Sequence, residues 1–495
     1  MMAGVNIKKV KPSNFSGMIP FSFRRIGDTV VVVNEYGNYL LLTEEEFNHL
    51  MENGPTGFGR ALTNELKAQN MVFDKDTASR AAERLRARFA DAARVTNLHI
   101  IIVTLRCNLK CVYCQANAAS CDSHETDMTV ETAKKVVDTI FSAPTKLVNF
   151  EFQGGEPLLN WDTVKFIIEY ATEANKQHNR DIRFNLVSNH LLMDDEKLDF
   201  LVKHRALLCM SLDGPDYVHN KNRGNTHAKA VKMYKKVYER YMAEGIEKLP
   251  SLIGTLSKHS LPYHREIVDE YRALNSSTIF MRPATTLGYA GKNWSEIGLT
   301  PEEFLEFYEK MLDYILELNR AGERITETYA VYILSKIIAG FEPGFVDLKS
   351  PCGASIGQLA YNYNGDIYTC DEGRMLGHQG DHTFRVGKCG ESTYKDIIMH
   401  RATKACTLAS TLDTTPGCAH CAYKPYCGIC PVINYYETGE LSPNVFTTRR
   451  HAVNEGIMDI LFKRLTIREN ADIFLEWVKQ FVTASRGDAA PEKAG

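Results

Sequence analysis

The chain has 495 residues and a mass of 55.9 kDa, more than one hydrophobic core ordinarily serves, so several domains are expected. A hydrophobic share of 44% beside 24% charged residues excludes a disordered or fibrous protein, and 58 basic against 61 acidic residues, a net charge of −3, excludes a nucleic-acid-seeking surface. Apolar runs are strand-length and none reaches the roughly 18–20 residues of a membrane span. No apolar stretch follows Lys8, Lys9 and Lys11, so neither a signal peptide nor a membrane anchor is expected, and the location expected is cytoplasmic.

Taken from the N-terminus, residues 1–18 read as a flexible tail and residues 19–95 as a small α+β, winged-helix-like module with a connector helix. Asp28 to Leu42 predicts strand, turn, strand around "NEYGN". Thr43 is placed to cap a helix whose first turn carries Glu44, Glu45 and Glu46. A second helix is expected over Gly57–Asn70, and an Ala/Arg-rich one over Thr77–Val95. Residues 96–300 then repeat one unit. Strands are expected at Leu98–Thr104, Val148–Gln153, Arg183–Ser188, Leu207–Leu212, Pro250–Leu256 and Thr278–Arg282, with helices between them. In Thr129–Ala143, for instance, Val130, Ala133, Val136, Val137, Ile140 and Phe141 recur at three and four residues. Six such units predict a parallel α/β sheet or barrel, in which functional groups gather at the C-terminal ends of strands. Residues 301–345 read as a helical linker.

Cysteine is the unusual component. There are 13, and two sets are closely spaced: Cys107, Cys111 and Cys114, and Cys418, Cys421, Cys427 and Cys430. In a large intracellular chain such sets read as metal or redox sites. Directly after the first strand comes Cys107-Asn-Leu-Lys-Cys111-Val-Tyr-Cys114. Three thiolates suit a soft iron–sulfur centre, and three ligands on a four-iron cluster leave one iron open. A structural zinc site takes four protein ligands, and no fourth Cys or His adjoins this loop in sequence.

The CxxxCxxC triplet resembles the signature of radical S-adenosylmethionine (SAM) enzymes. The resemblance implies that Cys107, Cys111 and Cys114 hold a [4Fe–4S] cluster whose open iron chelates SAM, and whose electron cleaves it to methionine and a 5′-deoxyadenosyl radical. It extends to Gly154-Gly155-Glu156-Pro157 after the second strand, which would hold the SAM amino group, and to Ser188-Asn189 after the third, near the ribose. There His190 stands where the family has glycine. After the fourth strand, Ser211-Leu-Asp213-Gly214-Pro215 with His219 and Arg223 resembles peptide-modifying members, Ser211 and Arg223 approaching the SAM carboxylate. Arg282 is a further possible contact at the barrel's last strand.

In residues 346–455, Cys352-x12-Gly365-x4-Cys370 and Cys418-x2-Cys421-x5-Cys427-x2-Cys430 resemble the SPASM domain, which carries auxiliary [4Fe–4S] clusters. The hairpin chemistry of "NYNGD" would bring Cys352 and Cys370 to its base. By that resemblance Cys352, Cys370 and Cys430 serve one auxiliary cluster and Cys418, Cys421 and Cys427 another. The last spacing is one residue short and the family's final cysteine is missing. Either one iron of the second cluster stays open, or Cys389, Cys406 or His451 fills it, His451 standing just before a helix expected to start at Asn454. Residues 456–495 complete the chain as that helix and a tail.

The fold class expected is thus α/β, a partial (β/α)6 barrel between a small N-terminal module and a cysteine-rich C-terminal domain. The function implied is a radical SAM/SPASM maturase of a ribosomally made precursor peptide, most like the His-Xaa-Ser system maturases. The N-terminal module would bind the peptide by strand addition. A one-electron donor such as flavodoxin or ferredoxin, and a second radical SAM protein, are the other partners implied. Two alternatives stand beside it: a sulfatase-type maturase forming formylglycine, and a non-catalytic metal- or cluster-binding module.

Overall fold

The computed structural model describes residues 17–89 and 95–487. The first sixteen residues of the expected tail, the connector past Phe89 up to residue 94 and the end of the chain lie outside them. No helix among the described residues is long and apolar enough to cross a membrane.

Strands β1 (Phe21–Ile26), β2 (Thr29–Asn34) and β3 (Tyr39–Thr43) form an antiparallel sheet in that order. The sequence reading began at Asp28 and missed β1, whose alternating half-buried pattern is the signature of an outer strand. Val30, Val32, Leu40 and Leu42 pack on the module's own helices, Glu44–Asn53 and Arg60–Ala68, while Val31 and Val33 join the core of the C-terminal helices. Burial on both faces is why this strand reads as an unbroken valine run. Thr43 caps its helix as expected: its Oγ1 accepts from Glu46 N at 3.2 Å, and Glu46 returns a carboxylate to Thr43 N at 2.8 Å.

Arg24 of β1 reaches Asp459 through two bonds of 2.6 Å and Glu455 at 2.7 Å. These groups are about 30% exposed, so each pair contributes under about 1 kcal/mol. Burying Val31 and Val33 contributes about 1.5–3 kcal/mol each. Apolar contact therefore holds the module in place, and the ion pairs orient it.

Strands β4 (Leu98–Thr104), β5 (Leu147–Gly154), β6 (Asp181–Ser188), β7 (Leu207–Ser211) and β8 (Ser251–Leu256) pair in parallel, each with its sequence neighbour. The expected sixth strand divides at Phe280. β9 (Thr278–Ile279) pairs with β11 (Thr326–Glu327), and β10 (Met281–Pro283) pairs with β8. The sheet also extends past β4: β12 (Gln358–Tyr361) joins it in parallel, and β13 (Asp366–Tyr368) and β14 (Arg385–Lys388) follow antiparallel. The cysteine-rich region is thus built onto the barrel's own sheet. At the β12–β13 turn Gly365 has φ +85°, a conformation glycine adopts without strain.

The helix expected from Asn454 starts at Arg449, because Thr448 Oγ1 accepts from His451 N at 3.3 Å and caps it, and it ends at Leu465; a further helix, Arg468–Gly487, stands where a tail was expected. His451 accordingly sits inside the first turn, not in a loop before the helix.

Candidate functional site

The C-terminal ends of β4 to β8 open into one cavity of about 1160 Å³. Cys107, Cys111 and Cys114 line it together with Gly154, Gly155, Glu156, Ser188, Asn189, Ser211 and Arg223. The cysteine triplet and the residues implied for SAM therefore face the same space, although the segments lie up to 116 residues apart, from 107 to 223; Asp213 and His219, named with them, do not line it.

Local chemistry fixes that convergence. A Cβ on Gly154 would stand 2.1 Å from Thr104 O, and one on Gly155 2.1 Å from Arg106 O, so both positions require glycine for β5 to approach the base of the cysteine loop. Gly155 N and Glu156 N then donate to Thr104 O and Arg106 O, at 3.0 and 2.7 Å. Arg106 pairs with Asp127 at 2.7 Å and donates to Leu159 O, clamping the loop from below. Glu156 is fully buried and accepts from Leu158 N, Ser188 Oγ and Asn189 N at 2.7–3.0 Å. Burial raises its carboxyl above the usual range, and those donors oppose the rise. Its oxygens thus tie the β5 end to the β6 end. Asn189 continues the tie to the cysteine loop by donating to Asn108 Oδ1 at 2.8 Å.

His190 keeps the left-handed backbone of the glycine it replaces, with φ +56°, and is fully buried. Neither ring nitrogen has a partner among the described residues, and burial pushes its pKa down to about 4. Burial likewise pushes Cys107 up to about 12 and Cys111 up to about 11, so both are protonated thiols until a metal displaces the proton.

Sequence reasoning gave Asp213 no role, yet it joins four segments. It accepts from Tyr113 Oη, from Asn222 Nδ2 and Arg223 Nε at 3.1 Å each, and from Thr255 N at 3.0 Å. Arg223 also lies 5.2 Å over the Tyr113 ring. The aromatic residue before the last cysteine of the loop is therefore held by the fourth-strand motif. Arg374 and Asp371, paired at 2.7 Å on the helix that follows Cys370, line the same cavity from the C-terminal region. Only the adjacency to Cys370 hinted at them. Cys121 folds back to donate its thiol to Cys107 O at 3.1 Å.

The C-terminal cysteines fall into two groups. Cys352, Cys370 and Cys430 share one buried apolar cluster with Cys406, Leu287, Met375, Phe384 and Val432. Thr369 contacts two of these thiols, with Oγ1 3.7 Å from Cys370 Sγ and a side-chain bond to Cys406. Cys389 lies elsewhere, in the barrel core beside Ile397 and Val386. Cys418, Cys421 and Cys427 form the second group, each half-buried and felt electrostatically by another of the three. A side-chain amide also reaches this trio: Asn454 Nδ2 lies 3.8 Å from Cys427 Sγ. His451 points Nε2 toward Glu455 at 3.7 Å and stands edge-on to Phe446. Among the described residues no three His, Cys, Asp or Glu side chains converge closely enough for a single metal ion.

Residues 101–259 match the Radical SAM superfamily. The cysteine-type anaerobic sulfatase-maturating enzyme of Clostridium perfringens (strain 13 / Type A) is 25% identical over 321 residues, 61% of this chain and 83% of that enzyme. Among solved structures, native anSMEcpe with bound AdoMet and Cp18Cys peptide has a TM-score of 0.62 at 19% identity, over 76% of this chain and 99% of that one. Streptococcus suis SuiB bound to precursor peptide SuiA has a TM-score of 0.53 at 16% identity, over 86% and 98%. At these identities the structures establish a shared fold.

Proposed function

We propose that this chain, whose residues 101–259 match the Radical SAM superfamily, cleaves SAM reductively and uses the radical to modify a ribosomally made peptide. The observation that carries the reading is the single cavity on which three thiols, the Gly154–Gly155 edge, the Ser188–Asn189 strand end, Ser211 and Arg223 converge. When bound there, a [4Fe–4S] cluster with SAM supplies one-electron cleavage to a 5′-deoxyadenosyl radical. The chain's own residues bind and orient. Cys107, Cys111 and Cys114 hold the cluster, and the Gly154–Gly155 backbone and Asn189 face the amino group and ribose. Ser211 and Arg223 take the carboxylate, for which a guanidinium fork is suited. Glu156 and Asp213 act as positioning residues, because their oxygens are occupied by donors of this chain.

Cys352, Cys370 and Cys430 are assigned to a first auxiliary cluster, with Cys406 as its fourth thiolate, since all four share one apolar cluster. Cys418, Cys421 and Cys427 are assigned to a second. His451 is its candidate fourth donor on the following helix, a role it reaches only by exchanging Glu455 for iron. The peptide is proposed to bind the N-terminal module, where β1 and β3 each pair on one side only. A flavodoxin- or ferredoxin-like donor would supply the electron, and the His-Xaa-Ser type of precursor with a second radical SAM protein is the finer assignment.

A second reading, a sulfatase-type maturase, is favoured by the 25% identity to the Clostridium perfringens enzyme over most of that protein's length. Anaerobic reconstitution tests both: dithionite should yield 5′-deoxyadenosine from SAM, and its absence sinks either enzyme. The mass change of a co-expressed peptide then separates them, because formylglycine changes one Cys or Ser whereas a cross-link removes hydrogen from two residues.

A further inference from the structure

A second cavity of about 840 Å³ lies behind the first, and Arg282, Pro283, Ala284 and Thr285 line both. One side is apolar, with Met281, Phe304, Ile433, Val453 and Ile457. Its position links every candidate centre. Asn454 in its wall touches the Cys427 sulfur, and Arg450, also in the wall, interacts with Cys430.

The charged groups lining it are three arginines and two acids: Arg282, Arg449 and Arg450 against Asp347 and Glu437. Asp347 is consumed within the wall, accepting from Arg282 at 2.9 Å and lying 3.1 Å from Arg450. Glu437 accepts from the Thr286 hydroxyl at 3.1 Å. Arg449 is different. Its guanidinium lies 4.6 Å over the Trp294 ring and has no carboxylate at ion-pair distance among the described residues; Glu437 and Glu302 act on it only at longer range. A half-buried guanidinium without an ionic partner, set against an apolar wall and opening beside the SAM-facing cavity, is a receptor for an anion attached to an apolar group.

We infer that this second cavity seats the specificity element of the peptide substrate, an apolar side chain with a carboxylate beside it, paired to Arg449. The inference rests on the peptide-modifying reading above. It adds the substrate class: a hydrophobic residue next to either the peptide's C-terminal carboxylate or an acidic side chain. The apolar wall of Phe304, Ile433, Val453 and Ile457 takes the side chain, while Arg449 gains a charge-assisted bidentate partner. The shared segment Arg282–Thr285 then sets the distance between the recognised residue and the SAM pocket.

The test uses reconstituted full-length protein and three probes: N-acetyl-phenylalanine, its amide, and the amide of N-acetyl-phenylalanyl-aspartate, with binding followed by calorimetry. At least one carboxylate-bearing probe should bind about tenfold more tightly than the neutral amide. Which one does so distinguishes a C-terminal carboxylate from an acidic side chain. Arg449→Gln should erase the preference and Arg449→Lys restore part of it. Val453→Glu, placing a like charge in the cavity, should abolish carboxylate binding in a chain whose folding is checked by circular dichroism. Equal affinity for acid and amide, no binding of any probe, or an unchanged preference in Arg449→Gln overturns the inference. None of these touches the radical SAM reading, which fails instead if the wild-type protein forms no 5′-deoxyadenosine.

Discussion

The cysteine loop at the barrel mouth and the buried cysteine group of the C-terminal region hold thiols in opposite ways. Cys107, Cys111 and Cys114 sit part-exposed on a loop, one wall of an open cavity, and the nearby Cys121 turns its thiol to Cys107 O. Cys352, Cys370, Cys406 and Cys430 sit at 7% exposure or less among Leu287, Met375, Phe384 and Val432, a full set of four in a dry setting. The difference agrees with the role proposed for each. An iron that must accept a substrate's donor atoms needs a missing ligand and a cavity in front of it, whereas one that only accepts or passes electrons is best saturated and shielded. The trio Cys418, Cys421 and Cys427 is half-buried like the loop thiols but lines no part of their cavity.

The comparison breaks first at the loop. Changing Cys107, Cys111 and Cys114 together to Ala should abolish 5′-deoxyadenosine formation while leaving the auxiliary iron bound. Turnover by that variant would discard the loop assignment, and total loss of iron would discard the C-terminal one. The next largest effect is at Cys406. Cys406→Ser should make the buried cluster labile, costing about four iron atoms per chain on gel filtration, the content of one four-iron cluster. Cys389→Ser, in the barrel core, should cost none. Equal iron in the two variants would return the quartet to a trio.

Smaller shifts should sharpen the position of the intermediate group. Asn454→Leu removes the amide donor to Cys427 and should lower the reduction potential of that cluster without removing iron, since hydrogen bonds to sulfur stabilise the reduced form. His451→Cys should lower it further if the imidazole is a ligand, and His451→Ala should then make the cluster labile. Identical iron content and spectra in both His451 variants would leave His451 to its contact with Glu455.

How far these sites were legible in the sequence follows from range. Strand ends and their motifs are local, so the parallel units could be read from periodicity and the SAM-facing residues after each strand from the resemblance of their motifs, and these residues do line one cavity. Cys406 could not be placed, because only the packing of its helix against β14 and the helix that follows Cys430 decides that it meets Cys352 and Cys370 rather than Cys418. Asp213 reads as a turn residue beside Gly214-Pro215, and its four donors come from segments 100 residues upstream to 42 downstream. The start of the helix after the cysteine-rich region was misplaced for a local reason: its first turn was left outside it although Thr448 is a cap.

The smallest expected effect lies beneath the barrel mouth and distinguishes it from the buried quartet, whose apolar cluster contains no histidine. His190, which bonds through its backbone N to Ser188 Oγ at 2.8 Å, is buried without a partner for either ring nitrogen, and its pKa falls from 6.5 to about 4. A depressed histidine gives stability that is present above pH 6.5 and lost as the pH falls toward about 4, because the unfolded chain takes up the proton first. At about 1.4 kcal/mol per unit, the full loss is about 3 kcal/mol. His99, at about 3, and His219, at about 4, add losses of the same sign, so the test must be differential. His190→Gly relieves a left-handed backbone costing about 1–2 kcal/mol but empties an imidazole's volume, and truncating a buried aromatic costs about 3–5 kcal/mol. The cavity outweighs the strain, so the variant should be less stable than the wild type at pH 7.5. Lacking the titration, it should close that gap by about 2 kcal/mol on going to pH 5, as read from denaturant unfolding of the metal-free chains. A gap that stays constant or widens would mean that the imidazole is not held neutral under the SAM-facing loop.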